Sequence, residues 1–350
     1  MTFHAYAADE PGAPLRSFSY QPRPLGRHDV EIDISHCGLC HSDLHLLRGQ
    51  WKTARFPLVA GHEIVGTLSD LGAAVRGLVV GQRVGVGWQR GACTHCEWCV
   101  RGEENLCPDR QATCVGHHGG FADRIRVDGH FAHPIPPGLS PEHAAPLLCA
   151  GATVFAPLQR FGAAGRVGVI GIGGLGHLAL QFARAFGCEV TALSSSPDKE
   201  GEARFFGAHR FVDSRDPAQL AAARGSLDLV LSTVPVDLPW RSILDTLRPN
   251  GTLCFVGASS GDLRLPPGAL ISGQRRVTGS AVASRPVMRE MLQFAARHGI
   301  VPQVEVVPMA ELNQALARLE AGEARYRIVL QAEGHAAMVL DPLDTDELPL

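Results

Sequence analysis

The order of apolar and polar positions changes character along the chain. Residues 1–150 carry short alternating runs, such as 30–34 (Val-Glu-Ile-Asp-Ile) and 83–86 (Arg-Val-Gly-Val), punctuated by Gly and Pro. Period-two alternation predicts half-buried strands joined by turns. From about residue 148 to 283, apolar strand-like runs alternate with helical stretches: 167–170, then 176–186, 189–193 and 197–206, with later strand-like runs at 227–232, 253–256 and 277–279. Parallel strands need a crossover, and a helix is its usual form, so this alternation predicts a parallel, doubly wound sheet. Helix-like segments at 286–298 and 310–320 and strand-like runs at 304–307 and 326–330 follow. The expected fold is α/β. A β-rich unit spans 1–150 and is completed by 285–350, and a doubly wound unit spans 151–284. Residues 333–350 are acidic and show no periodicity.

Composition narrows the partners. The 350 residues are 45% hydrophobic and 19% charged, with a net charge of -3. Without a basic excess, neither nucleic acid nor an anionic membrane surface is an expected partner. No apolar segment approaches the ~20 residues of a membrane span. The start, Met1-Thr2-Phe3-His4-Ala5, lacks a basic stretch leading into an apolar run, so a cytoplasmic location is expected.

Ten cysteines in a reducing compartment point to metal or catalysis rather than disulfides. Cys93, Cys96, Cys99 and Cys107 are spaced C-x2-C-x2-C-x7-C in a polar stretch with little apolar content. Four thiolates this close can enclose one tetrahedral Zn(II) with no open position, and the metal then orders the loop. The spacing also fits an iron–sulfur cluster or unrelated thiols. Cys40, His62 and Cys149 are candidates for a second, open metal site. Read alone, His62 also fits a satisfied core histidine. Cys37, Cys114, Cys188 and Cys254 read as small buried residues.

The run 167–170 leads into Gly171-Ile172-Gly173-Gly174-Leu175-Gly176 and then a helical pattern. Strand, G-x-G-x-x-G, helix is the context of a dinucleotide-binding Rossmann turn, where glycines let the backbone approach a pyrophosphate at a helix N-terminus.

Several blocks in order carry a family resemblance: Gly38-Leu39-Cys40-His41-Ser42-Asp43-Leu44-His45, Gly61-His62-Glu63-x2-Gly66-x5-Gly72, the cysteine ladder, and Leu147-Leu148-Cys149-Ala150-Gly151-x-Thr153-Val154. The chain resembles the zinc-containing medium-chain alcohol dehydrogenases, and is most similar to their cinnamyl alcohol dehydrogenase-like branch. The resemblance covers nearly everything before the tail. It implies a GroES-like catalytic domain beside the Rossmann domain. It also implies a catalytic zinc on Cys40, His62 and Cys149, a structural zinc on the ladder, and Glu63 and Asp43 beside the catalytic metal. Ser42 and His45 match the family's proton relay, and Trp51 a substrate-pocket position. Thr153, Thr233, Val234, Val256, Gly257 and Ser280 are implied to line the cofactor cleft.

The cofactor is expected to be NADP(H), with NAD(H) possible. The strand after the fingerprint ends in Ser194-Ser195-Ser196-Pro197-Asp198-Lys199, without the acid that binds both ribose hydroxyls in NAD enzymes. Hydroxyls and Lys199 suit a 2′-phosphate, although a serine loop that only caps a helix fits the same residues. The reading is a zinc-dependent alcohol dehydrogenase and aldehyde reductase that transfers hydride between NADP(H) and a primary alcohol or aldehyde, aromatic or aliphatic. Its partner is a small molecule, and a homodimer is expected, with a tetramer as the other form. An NAD-linked alcohol or polyol dehydrogenase, and more remotely a non-catalytic binding relative, are the alternatives.

Overall fold

The apolar run read at 167–170 becomes the strand Arg166–Ile170 of a six-stranded parallel sheet. The computed structural model describes residues 1–162, 165–257 and 261–333, so residues 334–350, most of the acidic tail, lie outside it. Across the sheet the strands run Arg210–Asp213, Glu189–Ser194, Arg166–Ile170, Leu227–Ser232, Leu247–Phe255 and Arg276–Gly279. Val167, Val169, Val190, Ala192, Leu229 and Leu231 are fully buried, as strands covered on both faces require. The chain order reverses between Arg166–Ile170 and Leu227–Ser232, and this opens the crevice where doubly wound sheets bind ligands.

The second sheet has seven strands. Its path is Val304–Pro308, Arg327–Gln331, Asp29–Gly38, Glu63–Leu71, Arg83–Val86 and His133–Pro134, with Arg124–Asp128 also pairing with Asp29–Gly38. The chain thus leaves this sheet, builds the parallel one, and returns with two strands. The return fixes the site, because Val329 pairs with Gly38 and Gly38 pairs with Glu63. One register row therefore brings residues near 40, 63 and 327 side by side. The apolar cores are not cut at residue 150. Leu139, Leu147 and Leu148 share one buried cluster with Phe155, Val169 and Met291.

Most predicted elements form with shifted ends. The helix read at 197–206 divides into a 3-10 turn, Pro197–Lys199, and a helix, Glu200–Phe205. Pro197 fixes φ and has no N–H, so it suits a first turn and not an interior. The helix read at 310–320 begins as the 3-10 turn Met309–Glu311 and continues as Leu312–Glu320. The strand read at 253–256 starts earlier and spans Leu247–Phe255.

Candidate metal and dinucleotide site

Cys40 sits at the N-cap of the helix His41–Leu47, and its backbone N–H donates to Asp43 Oδ2 at 3.0 Å. The other Asp43 oxygen accepts from the Gly61 N–H at 2.9 Å and lies 2.9 Å from His62 Nδ1. This buried carboxylate therefore holds the imidazole by Nδ1 and leaves Nε2 facing Cys149 Sγ at 3.3 Å. Gly61 is needed for the approach. It has φ +95°, and a Cβ there would lie 2.8 Å from the Phe121 nitrogen. Cys149 comes from the wide π-helical turn Leu147–Gly151, which separates two α-helical segments and re-aims its side chain.

The ligand atoms of Cys40, His62, Glu63 and Cys149 lie within 4.8 Å of one another, and all the cysteines are free thiols. Zinc bond lengths of about 2.3 Å to sulfur and 2.0 Å to nitrogen imply an N···S tetrahedral edge of about 3.5 Å, close to the observed 3.3 Å. Hydrogen bonding from Cys149 and the neighbouring His62 hold the buried Cys40 thiol well below its usual range. Burial alone would lower His62, but Asp43 and Cys149 outweigh it and raise the imidazole. A thiolate beside a carboxylate-oriented imidazole, shut away from water, is a donor set that fits a divalent soft-to-borderline metal. The ladder fits too. Cys93 and Cys99 sulfurs are 3.9 Å apart, against about 3.8 Å for the edge of a four-thiolate zinc site. Cys93, Cys96, Cys99 and Cys107 also gather within 4.8 Å of one another.

Glu63 is fully buried and ion-pairs with Arg327, whose Nη2 also donates to the Leu39 carbonyl at 2.8 Å. Its second oxygen, Oε2, has no partner among the described residues. Burial, opposed by Arg327, pushes the Glu63 carboxyl up to about 8. Arg327 also reaches the glycine loop, since a Cβ on Gly174 would lie 3.1 Å from its Cδ and Nη1. Sequence reading missed Arg327 because it lies inside an apolar run that was read only as a strand. Cys114 adds a contact the sequence did not show. It is buried, as expected, but its ligand atom lies within 4.8 Å of those of Asp43 and His62.

Ser42 and His45 share the helix His41–Leu47 and are both half-buried. His45 Nδ1 contacts Gln50 Oε1, a partner the sequence did not reveal. Its ring stacks on Trp51 at 5.4 Å; Trp51 meets Trp88 edge-on at 5.7 Å, and Trp88 meets His62 edge-on at 4.9 Å. A wall of rings thus leads from that helix to the metal cluster. Phe294 packs instead on Phe155 and Phe186, in the core.

The glycine loop follows its strand and enters the helix Gly176–Ala185. Gly171 has φ +87°, and a Cβ on Gly176 would lie 1.7 Å from the Gly171 oxygen, so only glycine fits there. Thr233 Oγ1 donates to the Ile170 carbonyl at 2.8 Å and ties the next strand end to the loop. Val234 crowds Gly171, and Gly257 passes 2.9 Å from Thr233 backbone when given a Cβ. Val256 and Gly257 N–H groups donate to the Ser232 carbonyl, and the Ser280 N–H to the Phe255 carbonyl. These residues therefore cluster at the carboxyl ends of the strands, and Thr153 is half-buried on the helix Ala152–Phe161. Ser194 ends its strand and accepts from the Ser196 N–H at 3.1 Å. Ser195 and Ser196 carry the turn to Lys199, whose Nζ donates to the Ile172 carbonyl at 3.0 Å. Lys199 and the serine turn thus sit against the fingerprint. His177, also missed, anchors the loop: its Nδ1 donates to the Gly173 carbonyl at 3.0 Å, and its Nε2 accepts from the Gln303 N–H at 3.3 Å.

Comparison with known proteins agrees with this architecture. Residues 26–137 match the alcohol dehydrogenase GroES-like domain, and residues 174–297 match the zinc-binding dehydrogenase family. The chain is 45% identical over 328 residues to an aldehyde reductase of Synechocystis, covering 93% of this chain and 98% of the relative. It is 42% identical to a probable cinnamyl alcohol dehydrogenase of Oryza sativa, covering 95% of each. A cinnamyl alcohol dehydrogenase structure from Sorghum bicolor superposes with TM-score 0.90 at 39% identity, covering 96% of this chain and 100% of that one. The CAD of Helicobacter pylori complexed with NADP(H) superposes with TM-score 0.87 at 30% identity, covering 95% and 98%.

Proposed function

The chain belongs to the zinc-containing medium-chain alcohol dehydrogenases, in their cinnamyl alcohol dehydrogenase-like branch, and we propose that it reduces primary aldehydes, aromatic or aliphatic, with NADPH. Its homologues are named for aldehyde reductase and cinnamyl alcohol dehydrogenase activity, and the matching family model is that of a zinc-binding dehydrogenase. In our reading the catalytic part is 1–150 completed from 285 onward, and 151–284 is the cofactor part. Two metals are held per chain, one by Cys40, His62 and Cys149 and one by Cys93, Cys96, Cys99 and Cys107.

When bound, Zn(II) supplies Lewis acidity at the substrate oxygen and the dinucleotide supplies or takes the hydride. The protein does the rest. Asp43 fixes the orientation of His62 by its Nδ1 bond. With the cofactor bound, Ser42 would hold the proton beside the substrate oxygen, and the half-buried His45 on the same helix would exchange it with solvent. Trp51 and Trp88 form an aromatic wall that excludes water and accepts flat or aliphatic substrates. Glu63 holds Arg327 against the glycine loop. The working unit is a homodimer in the cytoplasm.

The observation that carries the cofactor choice is Lys199 Nζ on the Ile172 carbonyl, in a turn of three serines with no carboxylate at the strand end. A lysine there meets a 2′-phosphate, whereas an acid would repel it. The test is initial rates of benzaldehyde and hexanal reduction with NADPH and NADH. A large advantage in kcat/KM for NADPH is expected. A preference for NADH would overturn the cofactor assignment and favour an NAD-linked dehydrogenase.

A further inference from the structure

A cavity of about 450 Å³ opens beside the paired antiparallel strands Phe3–Ala7 and Arg16–Tyr20, the residues 21–23 that follow them and the loop at 116–118. Its wall holds Arg23, Arg55, Arg90 and Arg126 with His117 and His118, and no acidic residue. None of the metal-cluster residues and none of the glycine loop line it. Two of the guanidiniums are neutralised, Arg23 by Asp29 and Arg126 by Glu31, the latter at 2.6 Å.

The other two have no ion-pair partner of their own among the described residues, although Asp29 and Asp128 act on Arg90 at longer range. Arg55 gives its hydrogen bonds to the Lys52 and Ala54 carbonyls, and Arg90 gives Nη2 to the Arg126 carbonyl at 2.8 Å. Among the described residues neither makes an ion pair, although Arg90 is only 8% exposed. A guanidinium taken out of water with only a carbonyl partner is costly, and such charges normally face a counter-ion. The surroundings register the excess charge. Burial and Arg23, opposed by Asp29, Tyr20 and Asp128, push Arg90 down to about 10, and burial with Arg90 and Arg23 pushes His117 down to about 4.

We infer that this cavity binds a small organic phosphomonoester, its phosphate held by Arg55 and Arg90 and its organic part laid against Tyr20 and His118. The two guanidiniums without an ion-pair partner face the same cavity and suit a phosphate of charge about −2, and the planar guanidinium fork suits its oxygens. The Tyr20 and His118 rings, 4.3 Å apart between centroids, give an aromatic wall. The volume lies within the roughly 300–1,000 Å³ of small-molecule pockets, so it holds more than an inorganic ion.

The test is calorimetric titration of the full zinc-loaded chain with phenyl phosphate at constant ionic strength. Saturable one-to-one binding is expected. Arg55→Gln and Arg90→Gln should each weaken it about tenfold or more, and Lys199→Ala should leave it unchanged. Absence of saturable binding would overturn the inference. So would affinity unmoved by the arginine substitutions, or lost in Lys199→Ala, which would put the phosphate at the dinucleotide loop. If Arg90→Gln does not fold, Arg55→Gln decides alone, because Arg55 is exposed and its bonds go only to backbone carbonyls.

Discussion

Arg327 ion-pairs with Glu63 across 264 residues of sequence while its stem packs under Gly174 of the glycine loop. Both groups are buried, so each offsets a charge that could not stay buried without a partner. Removing one partner of such a pair costs about 3–5 kcal/mol, because the remaining charge is left in a low dielectric. Arg327→Met should therefore lower unfolding stability by about that amount. Adding Glu63→Gln should recover part of it, as seen in a urea-unfolding double-mutant cycle. Additive losses would show that the pair is not coupled.

His177 makes stability pH-dependent in a defined window. Its folded value is lowered from 6.5 to about 4 by burial, and its Nε2 must stay unprotonated to accept from Gln303. The unfolded chain binds the proton more readily, so this contribution is complete above about pH 6.5 and is lost as pH falls towards 4. The loss is about 3 kcal/mol at 1.36 kcal/mol per pH unit. His133, lowered to about 3 by burial, adds to the same trend and extends it further into acid. Denaturant unfolding from pH 7 to 4 should show a shallower loss in His177→Gln than in the parent. Parallel curves would remove His177 as the cause.

In the proposed reading the ladder carries stability rather than chemistry. Residues 93–107 contain only short helical pieces, Glu97–Val100 and Glu104–Leu106, so a metal on the four thiolates would supply most of their ordering. Cys96→Ser should lose one zinc, lower the melting temperature and make the loop a site of limited proteolysis. An unchanged proteolysis pattern would mean that packing alone holds the loop.

What the sequence revealed depended on distance along the chain. The glycine fingerprint and the ladder were legible because all their parts lie within a few residues, where spacing itself encodes geometry. Cys40, His62 and Cys149 had no informative spacing, and only their local blocks and a family resemblance pointed to them. The partners that complete the site were hidden. Arg327 meets Glu63, and His177 meets Gln303, only after the chain has left one sheet and returned to it. Cys114 is buried as expected, but its closeness to His62 is made by the fold and not by neighbours in sequence. The parallel sheet was read correctly from alternation, while strand and helix ends moved by a few residues where Pro197 or a 3-10 turn intervened.

The central claim, that catalysis depends on a metal held by Cys40, His62 and Cys149, is tested most directly by zinc analysis alongside NADPH-dependent benzaldehyde reduction in the parent and Cys40→Ser. The account predicts two zincs per chain in the parent, and one in a folded Cys40→Ser variant with aldehyde reduction lost. An active Cys40→Ser variant, or an active parent free of zinc, would contradict it.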